Sequence, residues 1–317
     1  MTMKKLTRSE TAQFLRQRDH FLILTHRRPD GDTVGSAAAL CRILRRLGKD
    51  AHILHNPELP PRFSWLVEGL TVETVSDGAC IVSTDVASPG MLPKSFLPLQ
   101  DKVQLRIDHH GSSTSFTEVE LVEPDSASCA EILYDLGMEL LGDMDKATAE
   151  AVYVGTSTDT GCFRYANTTA HTFRVAAECA AAGAEIFRLN QELFETNNLS
   201  KLRLQAWMTE HLQLFDEGRL AICAIPRSVE AELGVTEEDV DNISSFPRTV
   251  RGVCMAATLR ETEEGGVKLS VRAVPGWDAA KVCEHFGGGG HKGAAGASTT
   301  KSLAETVLLV KEYMLET

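Results

Sequence analysis

"HRRPDGDTVGS", residues 26–36, follows directly on the apolar run "FLIL" at 21–24. A short continuous hydrophobic run bounded by turn residues is how a strand buried on both faces of a parallel sheet reads. Beyond it, "TVGSAAALCRILRRL" (33–47) has helical spacing and stops at Gly48. Strand, loop and helix in that order open an α/β domain, and the loop between them carries His26, Asp30 and Asp32.

The rhythm recurs in both directions. Upstream, Thr7 and Glu10 stand in capping-box spacing and predict a helix over about 8–18. Downstream, "DAHILH", "ACIVSTD" and "KVQLRID" read as further strands, which predicts an α/β fold with a mainly parallel sheet and flanking helices. A helix capped by Asp145 is expected to end near Ser157 and leave Asp159 at its C-terminal mouth. Another ends at Gly183, and "NLSKLRLQAWMTEHLQLF" (198–215) reads as one long amphipathic helix. From "LAICAI" onward short β-like runs dominate. The expected organisation is a catalytic domain over 1–195, a helical linker over 196–216 and a smaller α/β domain over 217–317.

A chain of 317 residues exceeds the size at which single cores usually divide, consistent with two domains. With 43% hydrophobic and 24% charged residues it is an ordinary globular composition. The net charge of −12 opposes tight non-specific binding to long nucleic acid, because such binding neutralises many phosphates; a short anionic substrate needs only a few local cations. Eight cysteines without a C-x-x-C pair argue against a zinc ribbon and for buried thiols in a reducing compartment. The apolar runs are too short to span a membrane, and "MTMKKLTRSET" leads into no signal-peptide core, so the expected location is cytoplasmic, with no membrane partner.

Polar clusters fall at the ends of the strands: His26 to Asp32, Asp85, and Asp108-His109-His110. In open α/β sheets ligands bind beyond the carboxyl ends of the strands, so these clusters should meet. Oxygen and imidazole donors select manganese, magnesium, iron or zinc over thiophilic metals. Two such ions about 3.5–4 Å apart clamp the attacking and leaving oxygens of a displacement at phosphorus. The expected assignment is His26 and Asp30 on one ion, Asp32, His109 and Asp159 on the other, and Asp85 spanning both. Pro29 and Gly31 would shape the loop, and Gly35 and Ser36 would begin a helix whose free N–H groups could face a phosphate. Each piece alone has a plainer explanation: "PDGD" as a turn, Asp85 as a cap, the His pair as surface, "GGGG" as a linker. Together the clusters occupy matching architectural positions.

These residues, with "STD" at 83–85, "DHH" at 108–110, "TDTG" at 158–161 and "FGGGGHKGAAG" at 286–296, resemble the DHH/DHHA1 phosphoesterases. The likeness is to their compact branch, which degrades short oligoribonucleotides and dephosphorylates 3′-phosphoadenosine 5′-phosphate. It runs from His26 to Gly296 and implies the same six metal ligands, His26, Asp30, Asp32, Asp85, His109 and Asp159, with two divalent ions, Mn2+ or Mg2+. It also implies His110 at the scissile phosphate or leaving group beside Asp85, and Asp108 orienting an imidazole. The second domain would supply the substrate platform, with the site in the cleft between the domains. Arg272, Gly288, Gly289, Gly290 and His291 would hold the substrate, with Lys292 adding charge and Arg164 a further candidate. Relatives suggest a homodimer. Ser113 stands where related sequences often carry Asn, and Ala273 where Ser is common, which bears on substrate preference. Two rivals are a pyrophosphatase or exopolyphosphatase, whose likeness would end with the first domain, and a non-catalytic RNA-binding module.

Overall fold

The "FLIL" run lies within a seven-stranded, wholly parallel sheet, in a computed structural model that describes residues 4–111, 114–237, 239–240 and 243–317. Chain order is β1 (Lys4–Lys5), α1 (Arg8–Gln17), β2 (Phe21–Leu24), α2 (Gly31–Arg46), β3 (Ala51–Leu54), β4 (Thr71–Val72), β5 (Cys80–Thr84), β6 (Val103–Asp108) and β7 (Val119–Val122). Helices α3 (Cys129–Leu141), α4 (Lys146–Asp159), α5 (Ala170–Ala181) and α6 (Ile186–Asn190) follow. The strands stand in the order β1-β7-β6-β5-β2-β3-β4.

Alternation along β2 explains its uniform hydrophobicity. Phe21 and Ile23 face the core shared with α1 to α5, while Leu22 and Leu24 face a second layer built from Leu92, Phe96 and Leu99. Both faces are covered, so no polar residue interrupts the strand. The parallel arrangement brings the C-terminal ends of β2, β5 and β6 side by side, with Ile23 beside Val82 and Thr84 beside Ile107.

Several elements differ from the sequence expectation. Helix α2 begins at Gly31, not Thr33, with Asp30 as its cap: Asp30 Oδ1 accepts from the amides of Asp32 and Thr33, both at 3.1 Å. Gly35 and Ser36 therefore lie inside the helix and are buried, Gly35 against α4 and Ser36 with its Oγ donating to Asp32 Oδ1. Gly31 has no positive φ; its need is close approach, since a Cβ there would stand 2.4 Å from Thr158 Oγ1. Helix α4 runs through Asp159 itself. Strand β7, in "TEVELVEP", carries only four strand residues and no strong turn signal, and sequence reading passes over it.

The second unit begins at residue 197. It contains α7 (Leu199–Glu210), β8 (Gln213–Phe215), β9 (Leu220–Ile225), α8 (Arg227–Leu233), β10 (Met255–Glu261), β11 (Val267–Ala273), α9 (Ala279–Glu284), β12 (Gly289–His291), β13 (Ala294–Thr299) and α10 (Leu303–Leu315). Its six strands run β12-β13-β11-β10-β9-β8, with only β9 and β10 parallel. The single long helix expected over 198–215 is instead α7 followed by strand β8, which hydrogen-bonds along β9. Leu204 and Met208 of α7 pack with Cys223 and Ile225 of β9, so the stretch expected as a linker is part of this unit's own core. Nor is "GGGG" a linker, because Gly289 and Gly290 are paired strand residues.

Candidate metal centre

Three loops and a helix end deliver the donors. His26 follows β2 and is 7% exposed; its Nδ1 lies 2.8 Å from the Arg27 carbonyl. A carbonyl only accepts, so Nδ1 carries a proton and Nε2 is the nitrogen turned to the carboxylates, the one a metal ion would take. That Nε2 stands 3.6 Å from Asp30 Oδ1 and 3.6 Å from Asp85 Oδ2. His109, after β6, repeats the device: Nδ1 donates to the Ser126 carbonyl at 3.2 Å. Its Nε2 lies 3.5 Å from Asp85 Oδ1, 3.7 Å from Asp32 Oδ2 and 3.7 Å from Asp159 Oδ2. The two oxygens of Asp85 thus address different histidines.

Each carboxylate is fixed differently. Asp32 is buried at the N-terminus of α3, accepting from the amides of Cys129 (2.7 Å) and Ala130 (2.9 Å) and from Ser36 Oγ (3.2 Å). Asp85, 2% exposed, sits just past β5 at φ +59, a left-handed conformation uncommon outside glycine that clusters at functional sites. Its Oδ1 is buried and has no hydrogen-bond partner among the described residues. Asp159 closes α4, and Asn167 Nδ2 donates to its backbone carbonyl at 3.2 Å.

Crowding four carboxylates costs free energy, and the proton affinities record it. Burial and the Asp32 charge push Asp85 well above the ordinary carboxylate range. Burial with Asp32 and Asp30 nearby raises Asp159 to about 8, and burial raises Asp32 as well. Burial opposes charge on His26, yet Asp30 and Asp85 lift its pKa well above the usual value. Against the same burial, His26 and the helix amides hold Asp30 below its ordinary value. A divalent cation meets all these demands, neutralising the carboxylates and leaving each Nε2 as a ligand. The bare Asp85 Oδ1 is the atom that asks for one. The donor set is oxygen and imidazole; the nearby Cys129 thiol donates to the Ile107 carbonyl at 3.3 Å, and burial raises its pKa far above that of a ready ligand.

Among the described residues, three overlapping sets have donor atoms within 4.8 Å of one another: His26 with Asp30 and Asp85, Asp32 with His109 and Asp159, and Asp85 with His109 and His110. The six residues expected as ligands are therefore brought together. In the third set His110 Nδ1 is already engaged, donating to Asp108 Oδ1 at 2.8 Å. Asp108 also accepts from the amides of His109 and His110 and is itself held below its ordinary pKa, burial notwithstanding, by His110. The imidazole it orients is His110, leaving His110 Nε2 outward.

Other expected residues lie elsewhere. Arg164 is exposed and donates to the Gly161 carbonyl at 2.5 Å. In the second unit Arg272 pairs with Ala294, which pairs in turn with His291, so the two cationic or polar side chains share a sheet face two strands apart, roughly 10 Å. Between and beside them Ala294, Gly296 and Gly289 form a floor without bulk. A Cβ on Gly288 would stand 2.3 Å from the Gly296 carbonyl, and Gly290 has φ +146, so both positions require glycine. Ser113 lies outside the described residues. Sequence reading missed Ser126, Asn167 and Asn56, whose Nδ2 donates to the His26 carbonyl at 2.9 Å. Their side chains or carbonyls reach the site through bonds to residues distant in the sequence, which leaves no spacing signal.

Comparison with known proteins assigns the class. Residues 20–156 match the DHH family, N-terminal domain, and residues 219–316 match the DHHA1 domain. The chain belongs to the DHH/DHHA1 family of phosphoesterases. Within it, the chain is 36% identical over 279 residues to the bifunctional oligoribonuclease and PAP phosphatase NrnA of Thermus thermophilus, covering 87% of this chain and 83% of that one. Its fold is similar to the crystal structure of an exopolyphosphatase-related protein from Bacteroides fragilis, with TM-score 0.89, 20% identity and coverage of 98% and 95%. It also resembles RecJ in complex with Mn2+ from Thermus thermophilus, with TM-score 0.56 and 17% identity over 98% of this chain and 54% of that one. Among the described residues no helix is long and apolar enough to cross a membrane.

Proposed function

We propose that this chain is a two-metal phosphohydrolase that degrades short oligonucleotides to mononucleotides and removes the 3′-phosphate of 3′-phosphoadenosine 5′-phosphate. The observation that carries the reading is Asp85, whose two oxygens stand between two histidine-carboxylate sets. His26 and Asp30 would hold one ion, Asp32, His109 and Asp159 the other, and Asp85 both. Ions held there supply Lewis acidity toward a phosphoryl oxygen and lower the pKa of water. His110, its Nδ1 committed to Asp108, offers Nε2 to the leaving oxygen, the division of labour by which a carboxylate fixes an imidazole's tautomer in proton transfer. Arg272 presents a planar fork suited to phosphate, and the glycines of "GGGG" with His291 let backbone and ring approach a nucleotide. The name of the Thermus relative supports the substrate class, and manganese is the ion we assign. The same reading places the enzyme in the cytoplasm as a homodimer, a state that mass measurement in solution would check.

The test is turnover of dinucleotides and of 3′-phosphoadenosine 5′-phosphate, followed by product chromatography with Mn2+ and after chelation. Mononucleotide release with Mn2+ alone is expected. Preferential release of phosphate from pyrophosphate, or tight RNA binding without turnover, would replace the proposal with its rivals.

Metal should also stabilise the fold. At roughly 100 times its Kd, a bound ion adds about 2.7 kcal/mol, or about 5–10 °C in Tm for a unit of this size. Asp159 is raised to about 8, so the folded metal-free state holds a proton that the unfolded chain releases from about pH 4 upward. Stability of the metal-free protein therefore falls as pH rises toward 8, and the Tm gap between Mn2+-loaded and chelated protein should widen from pH 6 to 8. A constant gap in calorimetry would contradict this.

A further inference from the structure

One short segment, residues 123–130, bonds directly to Asp32 and His109 and reaches Asp159 through Asn167. Its Ser126 carbonyl takes the His109 Nδ1 proton at 3.2 Å. The Cys129 and Ala130 amides grip Asp32 at 2.7 and 2.9 Å. Asn167 Nδ2 joins the Ala127 carbonyl (2.9 Å) to the Asp159 carbonyl (3.2 Å), with the Asp159 carboxylate at 3.5 Å. Since all three Asn167 contacts are acceptors, the amide nitrogen is placed unambiguously.

The segment is itself anchored from a distant part of the chain. Glu123 accepts from Ser126 Oγ at 3.3 Å, and its carbonyl accepts from the Ser126 amide at 3.0 Å. Arg8, at the start of α1, grips Glu123 with its fork: Nε donates to Oε1 at 2.7 Å and Nη2 donates to Oε2. Its Nη1 lies 2.7 Å from Asp135 Oδ2 on α3. Among the described residues no hydrogen bond or ion pair of residues 123–130 reaches His26, Asp30 or Asp85; His26 and Asp30 are held by Arg27, Asn56 and the α2 amides.

We infer that Arg8, through residues 123–130, and Asn167, by tying Ala127 to Asp159, are positioning residues for one ion of the pair, acting on Asp32, His109 and Asp159 and not on the His26 side. The inference rests on the two-metal reading proposed above. Partners that orient metal ligands typically change affinity by about 10–100-fold when lost.

Calorimetric titration of the full chain with Mn2+ tests it. Wild type should show two classes of sites; if it binds no Mn2+, the two-metal reading fails before this inference is reached. Arg8→Ala and Asn167→Ala should each weaken one class by about 10–100-fold and leave the other within about twofold. Arg8→Lys, which keeps charge but not the fork, should restore part of the loss. Arg260→Ala removes a comparable ion pair, with Glu230 at 2.6 and 3.1 Å, from the second unit and should leave both classes unchanged. Unchanged affinities in Asn167→Ala, which touches no ion pair, or equal weakening of both classes in both variants would overturn the inference.

Discussion

Asp85→Asn is expected to lower turnover by roughly 10³-fold or more, the scale on which losing one preorganised electrostatic group registers, while making the metal-free protein more stable. The two effects share a cause. Asp85 is a buried carboxylate beside Asp32, with one oxygen unpartnered, and its proton affinity is raised by both. Replacing it with an uncharged amide relieves like-charge repulsion and desolvation by about 1 kcal/mol, or about 2–4 °C in Tm. Asparagine also tolerates the φ of +59, so no new backbone strain obscures the comparison. Functional sites commonly hold such unfavourable charge against stability. Thermal melts of chelated wild type and variant, with single-turnover assays in Mn2+, read both quantities. A variant that keeps near-wild-type turnover, or melts lower than wild type without metal, would remove Asp85 from the centre of the proposal.

Gly155→Ala should damage both fold and site. Helices α2 and α4 meet with their backbones nearly in contact: a Cβ on Gly155 would stand 2.5 Å from Ala130 Cβ and 2.9 Å from Asp32 Oδ1. Facing it, a Cβ on Gly35 would stand 2.4 Å from the Ala151 carbonyl. Overpacking costs about 1–3 kcal/mol, offset by up to about 1 kcal/mol of helix propensity. The expected net loss is about 2 kcal/mol, roughly 4–8 °C, with a fall in turnover larger than the lost folded fraction because Asp32 must move. Gly137→Ala provides the contrast. Its Cβ would meet Ile43 Cδ1 at 2.9 Å, the far end of a side chain that can rotate away, so it should be nearly neutral in both assays. Equal behaviour of the two variants would mean that the packing of α4 against α2 and α3 is softer than its distances imply.

How much of this was legible beforehand follows from the range of the forces involved. The alternation of buried runs and helical stripes is local, and it announced the parallel sheet. The capping box of Thr7 with Glu10 formed as its spacing predicted. Expectations failed where a long-range contact overrode a local signal. Gly31 read as a flexible turn residue, but it is glycine because Thr158 leaves no room for a Cβ. The last turn of the helix expected over 198–215 was captured as a strand by pairing with β9. "GGGG" read alone as a linker because composition cannot reveal that Gly289 faces Gly296 across a hairpin.

Sequence by itself determined the class of fold and the chemical character of the donors, since residue type and spacing are written along the chain and oxygen and imidazole choose their metals wherever they sit. Only the tertiary structure decided that Asp85 offers one oxygen to each histidine, that backbone carbonyls leave both Nε2 atoms free to bind, and that Asp32 is held by the amides of α3. Those are relations between residues tens of positions apart, fixed by the sheet that sets strand ends side by side, and no local pattern encodes them.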